Sequence, residues 1–225
     1  NSYLLRGGSN HGLSLPRGVA VIDPGPEDAA HLDAILGALT PYERITHIFV
    51  THAHLDHSPL ARPLARATGA KIYAFGPATA GRSAVMTRLA AEANPGGGEG
   101  VDAGFLPDIT LQDGETVTSD GWSLTALHTP GHFCNHMSFA WGDALFSGDH
   151  IMGWSTTVVV PPDGDMDAYR AAKLRLFETL LPRGRTAVLN ADSDAYSAFA
   201  AASIMAGLGV MGVGERGRDL TLIGR

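Results

Sequence analysis

The chain has 225 residues and a mass of 23.5 kDa, and 44% of its residues are hydrophobic, enough to bury one substantial core. Sixteen Lys and Arg stand against 23 Asp and Glu, and the net charge of −7 argues against a surface built to grip a phosphate backbone. No run approaches the ~20 apolar residues of a membrane helix. The single cysteine, Cys134, rules out an internal disulfide and points to a reducing compartment. With no signal-peptide pattern in view, a cytoplasmic protein is expected.

In chain order, the first informative element is the β-branched, apolar run at residues 45–50 (ITHIFV), which reads as a buried strand. It opens directly onto THAHLDHS, residues 51–58, which places three imidazoles and a carboxylate on one short loop. Ligands collect at the C-terminal ends of such strands. In extended backbone His52, His54 and Asp56 point to one side, and His57 joins them if a helix begins there. Neutral imidazole and carboxylate suit zinc, iron or manganese, and no thiolate set exists for a closed structural site. Residues 78–93 read as a helix, with Met86, Leu89 and Ala90 as its core positions. The Gly-rich stretch 94–104 is a connector or a rim to the site. Residues 106–117 (LPDITLQDGETV) read as a strand pair turning at Asp113-Gly114. Residues 127–132 (LHTPGH) and 145–150 (LFSGDH) repeat one pattern, an apolar strand followed by a ligand, here His132 and Asp149. His47, His128 and His136 are expected to support the site or sit in the core. His150 is left outside it because neighbouring strand residues face opposite ways. Trp154 is close enough to Asp149 to line a pocket.

These segments together resemble the metallo-β-lactamase superfamily. Its His-x-His-x-Asp-His motif is matched by His52, His54, Asp56 and His57, and its later His and bridging Asp by His132 and Asp149. Residues 1–5 and 19–25 look like its first strands, with Asp23 as the aspartate beneath the metal loop. TPGHFCNHMSF and SGDHIMGWSTTVV are most similar to the glyoxalase II and lactamase-beta-like hydrolases. The resemblance covers residues 1–169 and implies an α/β fold, the αββα sandwich of that family. It also implies a ligand set: His52, His54 and His132 on one metal, Asp56 and His57 on a second, and Asp149 bridging. Two Zn2+ are expected, with Mn2+ or Fe as alternatives above all at the second position. Two divalent ions lower the pKa of a shared water toward neutrality, and Asp56 would orient the resulting nucleophile.

The last quarter departs from that pattern, because no His follows His150 where the family has its sixth ligand. Residues 168–225 instead resemble part of the central domain of the muramyl-peptide ligases, through AAKLRLFETLLP, AVLNADSDAY and VGERGRDL. The chain thus reads as a chimera joined near residues 166–173. No Gly-x-x-x-x-Gly-Lys-Ser/Thr phosphate loop is present, so ligase chemistry is not expected. The segment is expected to complete one hydrolase domain over 1–225, through a helix at 168–181, a strand at 186–190, a helix at 195–206 and a strand at 210–214. If residues 186–189 replace the family strand that ends in Pro-Gly-His-Gly, Asp192 falls at the missing His. The competing reading makes Asp192 or Asp194 a turn residue and cap of the following helix.

The expected function is a metal-dependent hydrolase of an ester, thioester or lactam carbonyl, acting on a small molecule with no nucleic-acid or membrane partner. The alternatives are a phosphodiesterase or nuclease of the same superfamily, and a chimeric metal-binding protein with little turnover.

Overall fold

The computed structural model describes residues 2–7, 17–92, 100–153 and 155–221. They divide into two compact units, Asn1–Met166 and Asp167–Arg225. Trp154, and the Gly-rich stretch as far as residue 99, lie outside the described residues.

Unit 1 holds two sheets. The first has the order β1-β2-β3-β4-β5, from β1 (Tyr3–Arg6), β2 (Arg17–Ile22), β3 (Glu43–Phe49), β4 (Lys71–Ala74) and β5 (Ile109–Thr110). Only β1 runs antiparallel to its neighbour. Helices α1 (Ala29–Gly37) and α2 (Ala61–Thr68) make the crossovers between parallel strands. Asp28 starts α1 by accepting the N–H groups of Ala30 and His31 at 2.8 and 3.3 Å. Gly69 ends α2 at φ 76°, where a side chain would be strained. The second sheet is the antiparallel meander β6 (Thr116–Ser119), β7 (Trp122–His128), β8 (Met137–Trp141) and β9 (Ala144–Phe146).

Strand β3 sorts its side chains to both layers. The pairing with β2 slips between Val19 and Ala20, so Val19 faces Ile45 while Ala20 faces His47. That bulge at Thr46 lets Ile45, Ile48 and Val50 all join the core formed with Ile35 of α1 and Leu64 of α2. Phe49 joins the other core, between the sheets, with Ile22, Leu111, Trp122, Leu124 and Phe139. Phe49, Phe139, Ile48 and Leu64 are fully buried, each worth roughly 1.5–3 kcal/mol relative to exposure.

Two expectations fail in unit 1. The run around Asp113-Gly114 is no hairpin, because β5 belongs to the first sheet and β6 to the second; the turn, with Gly114 at φ 80°, carries the chain from one sheet to the other. Helix α3 (Ala84–Glu92) buries no residue, and Leu89 is exposed. Helical spacing marked an apolar stripe there, but no described element of the core covers it.

Unit 2 comprises α4 (Met166–Arg175), continued by a π turn at Leu176–Leu180, then β10 (Thr186–Asn190), α5 (Tyr196–Met205), β11 (Gly209–Gly214) and β12 (Leu220–Thr221). The three strands pair in parallel in that order. Ala187, Leu189 and Leu208 form its core with Phe177, Tyr196 and Phe199 packed against them. The helices and strands expected from periodicity at 168–181, 186–190, 195–206 and 210–214 are therefore all present, with shifted ends.

Candidate metal centre

The expected ligands of unit 1, and Asp23 beneath them, leave four strand ends. Asp23 follows β2, His52 to His57 follow β3, His132 lies in the turn between β7 and β8, and Asp149 sits on a 3-10 turn, Gly148–His150, after β9. One ligand atom from each of His52, His54, His132 and Asp149 falls within 4.8 Å of the others. The His54 Nδ1 atom lies 2.9 Å from His52 Nε2 and 3.1 Å from His132 Nε2. Asp149 Oδ2 lies 3.6 Å from His132 Nε2. His57 Nε2 sits beside this group, 3.4 Å from both Asp56 Oδ2 and Asp149 Oδ1.

What turns these nitrogens inward is a set of partners on the far side of each ring. The Val158 carbonyl accepts from His132 Nδ1 at 2.6 Å, leaving the Nε2 lone pair toward His54. Thr51 Oγ1 meets His52 Nδ1 at 3.0 Å. Asp23 holds His57 Nδ1 at 2.9 Å and also accepts the Thr51 hydroxyl at 2.8 Å and the Thr51 N–H at 2.7 Å. A histidine whose other nitrogen is so engaged presents a fixed tautomer to an ion.

Electrostatics agree with a cation site. Burial, reinforced by the neighbouring imidazoles, holds His52 well below the ordinary histidine range. Burial and His132 bring His54 down to about 4. Both rings are therefore neutral, the form in which an imidazole nitrogen offers a lone pair to an ion. His57 is the exception: burial opposes its charge, but hydrogen bonds with Asp149, Asp23 and Asp56 push it up to about 12. The same contact with His57 lowers Asp56 to about 2 and lowers Asp149. Asp23, Asp56 and Asp149 thus gather three carboxylates around one imidazole, an excess of negative charge that suits a cation. Converging imidazole nitrogens and carboxylates with no thiolate make a donor set for zinc, iron or manganese, so the residues fit the metals expected.

Of the remaining histidines, His136 takes the supporting part, one of the two expected for it. It is fully buried, bonds Thr129 Oγ1 through Nδ1 at 2.8 Å and accepts the Asp149 N–H at Nε2 at 3.2 Å, so it positions the backbone that bears Asp149. His47 packs among Phe49, Tyr73 and Trp122, and His128 stacks on Phe75 at 3.8 Å, so both are core residues. His150 is on the 3-10 turn and not on a strand, so the alternation used to exclude it does not apply.

Asp192 lies in unit 2, in the turn between β10 and α5. Its carboxylate accepts the N–H groups of Glu215 and Arg216 at 2.7 and 2.8 Å, and Arg216 also reaches its carbonyl. It does not cap α5, whose first residues take no side-chain cap; Ser193 Oγ accepts the Ala195 N–H instead.

A pocket of about 320 Å³ opens on Asp23, Asp56, His57 and Asp149 and is walled by Tyr3, Leu145, Ile151 and Met152. It reaches Asp56, His57 and Asp149, whereas His52, His54 and His132 are not part of its lining.

Comparison with known proteins follows the same lines. The chain is 29% identical over 181 residues to hydroxyacylglutathione hydrolase GloC of Haemophilus influenzae, covering 79% of this chain and 77% of that protein. It resembles the solved structure of TTHA1623 in a di-iron-bound form, with 27% identity, a TM-score of 0.54, and coverage of 81% of this chain and 82% of that one. A short local match, 60% identical over 62 residues, joins it to UDP-N-acetylmuramoyl-L-alanyl-D-glutamate--2,6-diaminopimelate ligase of Caulobacter vibrioides; it spans 28% of this chain and only 13% of the ligase. The pattern of the metallo-beta-lactamase superfamily matches residues 1–191. With the ligand loop, the two facing sheets and this match in hand, the chain belongs to the metallo-beta-lactamase superfamily.

Proposed function

We propose that the protein is a metal-dependent hydrolase of a small ester or thioester, with two ions, in a ligand set of His52, His54 and His132 at one position, Asp56 and His57 at the other, and Asp149 between them. The observation that carries this reading is the convergence of three imidazoles and a carboxylate within 4.8 Å, beside a pocket of about 320 Å³ that reaches the group through Asp149. Divalent ions bound there would supply an acidified water and polarise the carbonyl under attack. The chain's own residues do the positioning. Val158, Thr51 and Asp23 hold the rings, and His136 holds the Asp149 backbone. Asp56, whose side chain is 75% exposed beside His57, is placed to orient the attacking water. The likeness to a hydroxyacylglutathione hydrolase supports a thioester among the carbonyl substrates. Asp192 is left out of the set because two backbone N–H groups already use its oxygens.

Zinc is the expected occupant, and the imidazole-carboxylate donors accept iron or manganese as well. The test is a panel of chromogenic thioesters, esters, β-lactams and phosphodiesters assayed after loading with Zn2+, Fe2+ or Mn2+. Turnover of a thioester or ester, abolished by chelation and by the His52→Ala/His54→Ala double variant with its circular dichroism intact, is the expected result. Turnover that survives chelation would overturn the proposal.

A further inference from the structure

The walls of the pocket carry a charge pattern that bears on what the substrate looks like beyond its carbonyl. Asp23, Asp56 and Asp149 line it together with His57, which all three carboxylates already engage. The apolar lining is Tyr3, Leu145, Ile151 and Met152, of which Tyr3, Leu145 and Ile151 are 43%, 47% and 50% exposed. Among the described residues, no Lys or Arg lines it.

That lack has a source in the sequence and in the topology. Residues 89–169, which include His132, Asp149, Leu145, Ile151 and Met152, contain no Lys or Arg at all, against twelve Asp and Glu. The cations of the first sheet are at its other end. Arg17 and Lys71 begin β2 and β4, Arg44 is the second residue of β3, and these strands are parallel, so all three lie away from the C-terminal ends that carry the ligands. Arg6 ends the antiparallel β1 opposite Val19, at that same far end. Arg62 is tied to Asp108 at 2.8 Å and Arg82 to Asp163 at 2.5 Å.

We propose that this pocket selects a thioester or ester whose leaving group is uncharged and whose acyl chain is short and apolar, and that it discriminates against anionic thiols such as glutathione. The inference rests on the hydrolase reading above. Ions bound at the centre would offset Asp56 and Asp149, but they act at the carbonyl. The remainder of the substrate meets Tyr3, Leu145, Ile151 and Met152, which offer apolar contact and, beyond the Tyr3 hydroxyl, neither a donor nor a counter-charge for a carboxylate. An anionic leaving group brought there loses water without gaining a counter-charge, a net cost. An apolar one covers side chains that are otherwise wet.

A matched pair of substrates tests this on the metal-loaded protein: S-butanoyl-N-acetylcysteamine, which is neutral, and S-butanoyl-glutathione, which carries two carboxylates and one ammonium. The expected result is a kcat/KM at least about tenfold higher for the neutral thioester, because the anionic one is desolvated without a counter-charge. Calorimetry with the corresponding non-hydrolysable S-butyl thioethers should give the same order of affinities. Ile151→Lys should shift the ratio toward the glutathione substrate by about tenfold, with metal content and circular dichroism unchanged. Equal or preferred turnover of the glutathione thioester, with the same order in thioether binding, would overturn the inference and leave the hydrolase intact. Turnover of neither thioester would overturn both.

Discussion

Asp23 shows how much one residue does for this site. It is 3% exposed, sits in left-handed backbone at φ 48°, and accepts from the Thr51 N–H, the Thr51 hydroxyl and His57 Nδ1. An aspartate tolerates that conformation at a cost of about 1 kcal/mol, offset by three buried hydrogen bonds to a charged acceptor. The imidazoles it helps to organise have shifts of opposite sign, and their effect on stability follows from linkage. His52, His54 and His136 have folded pKa values below their unfolded value of 6.5, so the unfolded chain binds more protons below that pH and stability falls as pH drops. His57 is raised to about 12, so its contribution is fully present below pH 6.5 and is lost as pH climbs toward 12. Metal-free protein should therefore be most stable near pH 6.5. The fall should be steeper on the acid side, where three groups act together. Thermal melts of chelator-treated protein across pH 4–9 check this, and a monotonic rise through pH 8 would contradict it.

At the scale of elements, the turn after β9 is the part least tolerant of change. Gly148 has φ 49°, and a Cβ there would stand 2.6 Å from His136 Nε2 and 2.9 Å from Thr51 Oγ1. Gly148→Ala should cost about 1–3 kcal/mol, from backbone strain and from displacement of the two groups that position Asp149 and His52. Metal affinity should fall about 10- to 100-fold, as expected when a ligand's support is disturbed; equilibrium dialysis and thermal denaturation measure the two effects. In unit 2, Asp192 ties the turn after β10 to the loop between β11 and β12. Asp192→Ala should lower the melting temperature and leave the metal count per chain unchanged. A loss of one metal ion in that variant would instead make Asp192 a ligand.

For the whole molecule, the two units have separate cores: those around Ile48 and Phe49 in the first, and the one around Leu189 in the second. The ligase-like stretch brings strands and helices of that type but no phosphate loop, and the chain spans only 13% of the ligase it matches. ATP at micromolar concentration should give no heat of binding in calorimetry, and a saturable signal would refute this. Among the described residues no helix is long and apolar enough to cross a membrane.

The amino-acid sequence by itself determined the chemistry of the loop, because His52, His54, Asp56 and His57 are neighbours along the chain and their spacing alone places them together. Strands such as β3 and β10 were equally legible, since a β-branched apolar run declares itself locally. Other features depend on contacts between distant residues. The Val158 carbonyl behind His132, and His136 behind Asp149, join segments 26 and 13 positions apart, and no local pattern marks them. The exposure of α3 and the split of β5 from β6 were decided in the same way, by what packs against an apolar stripe or pairs with an extended run. Periodicity reports that such a surface exists, whereas only the folded chain determines what covers it.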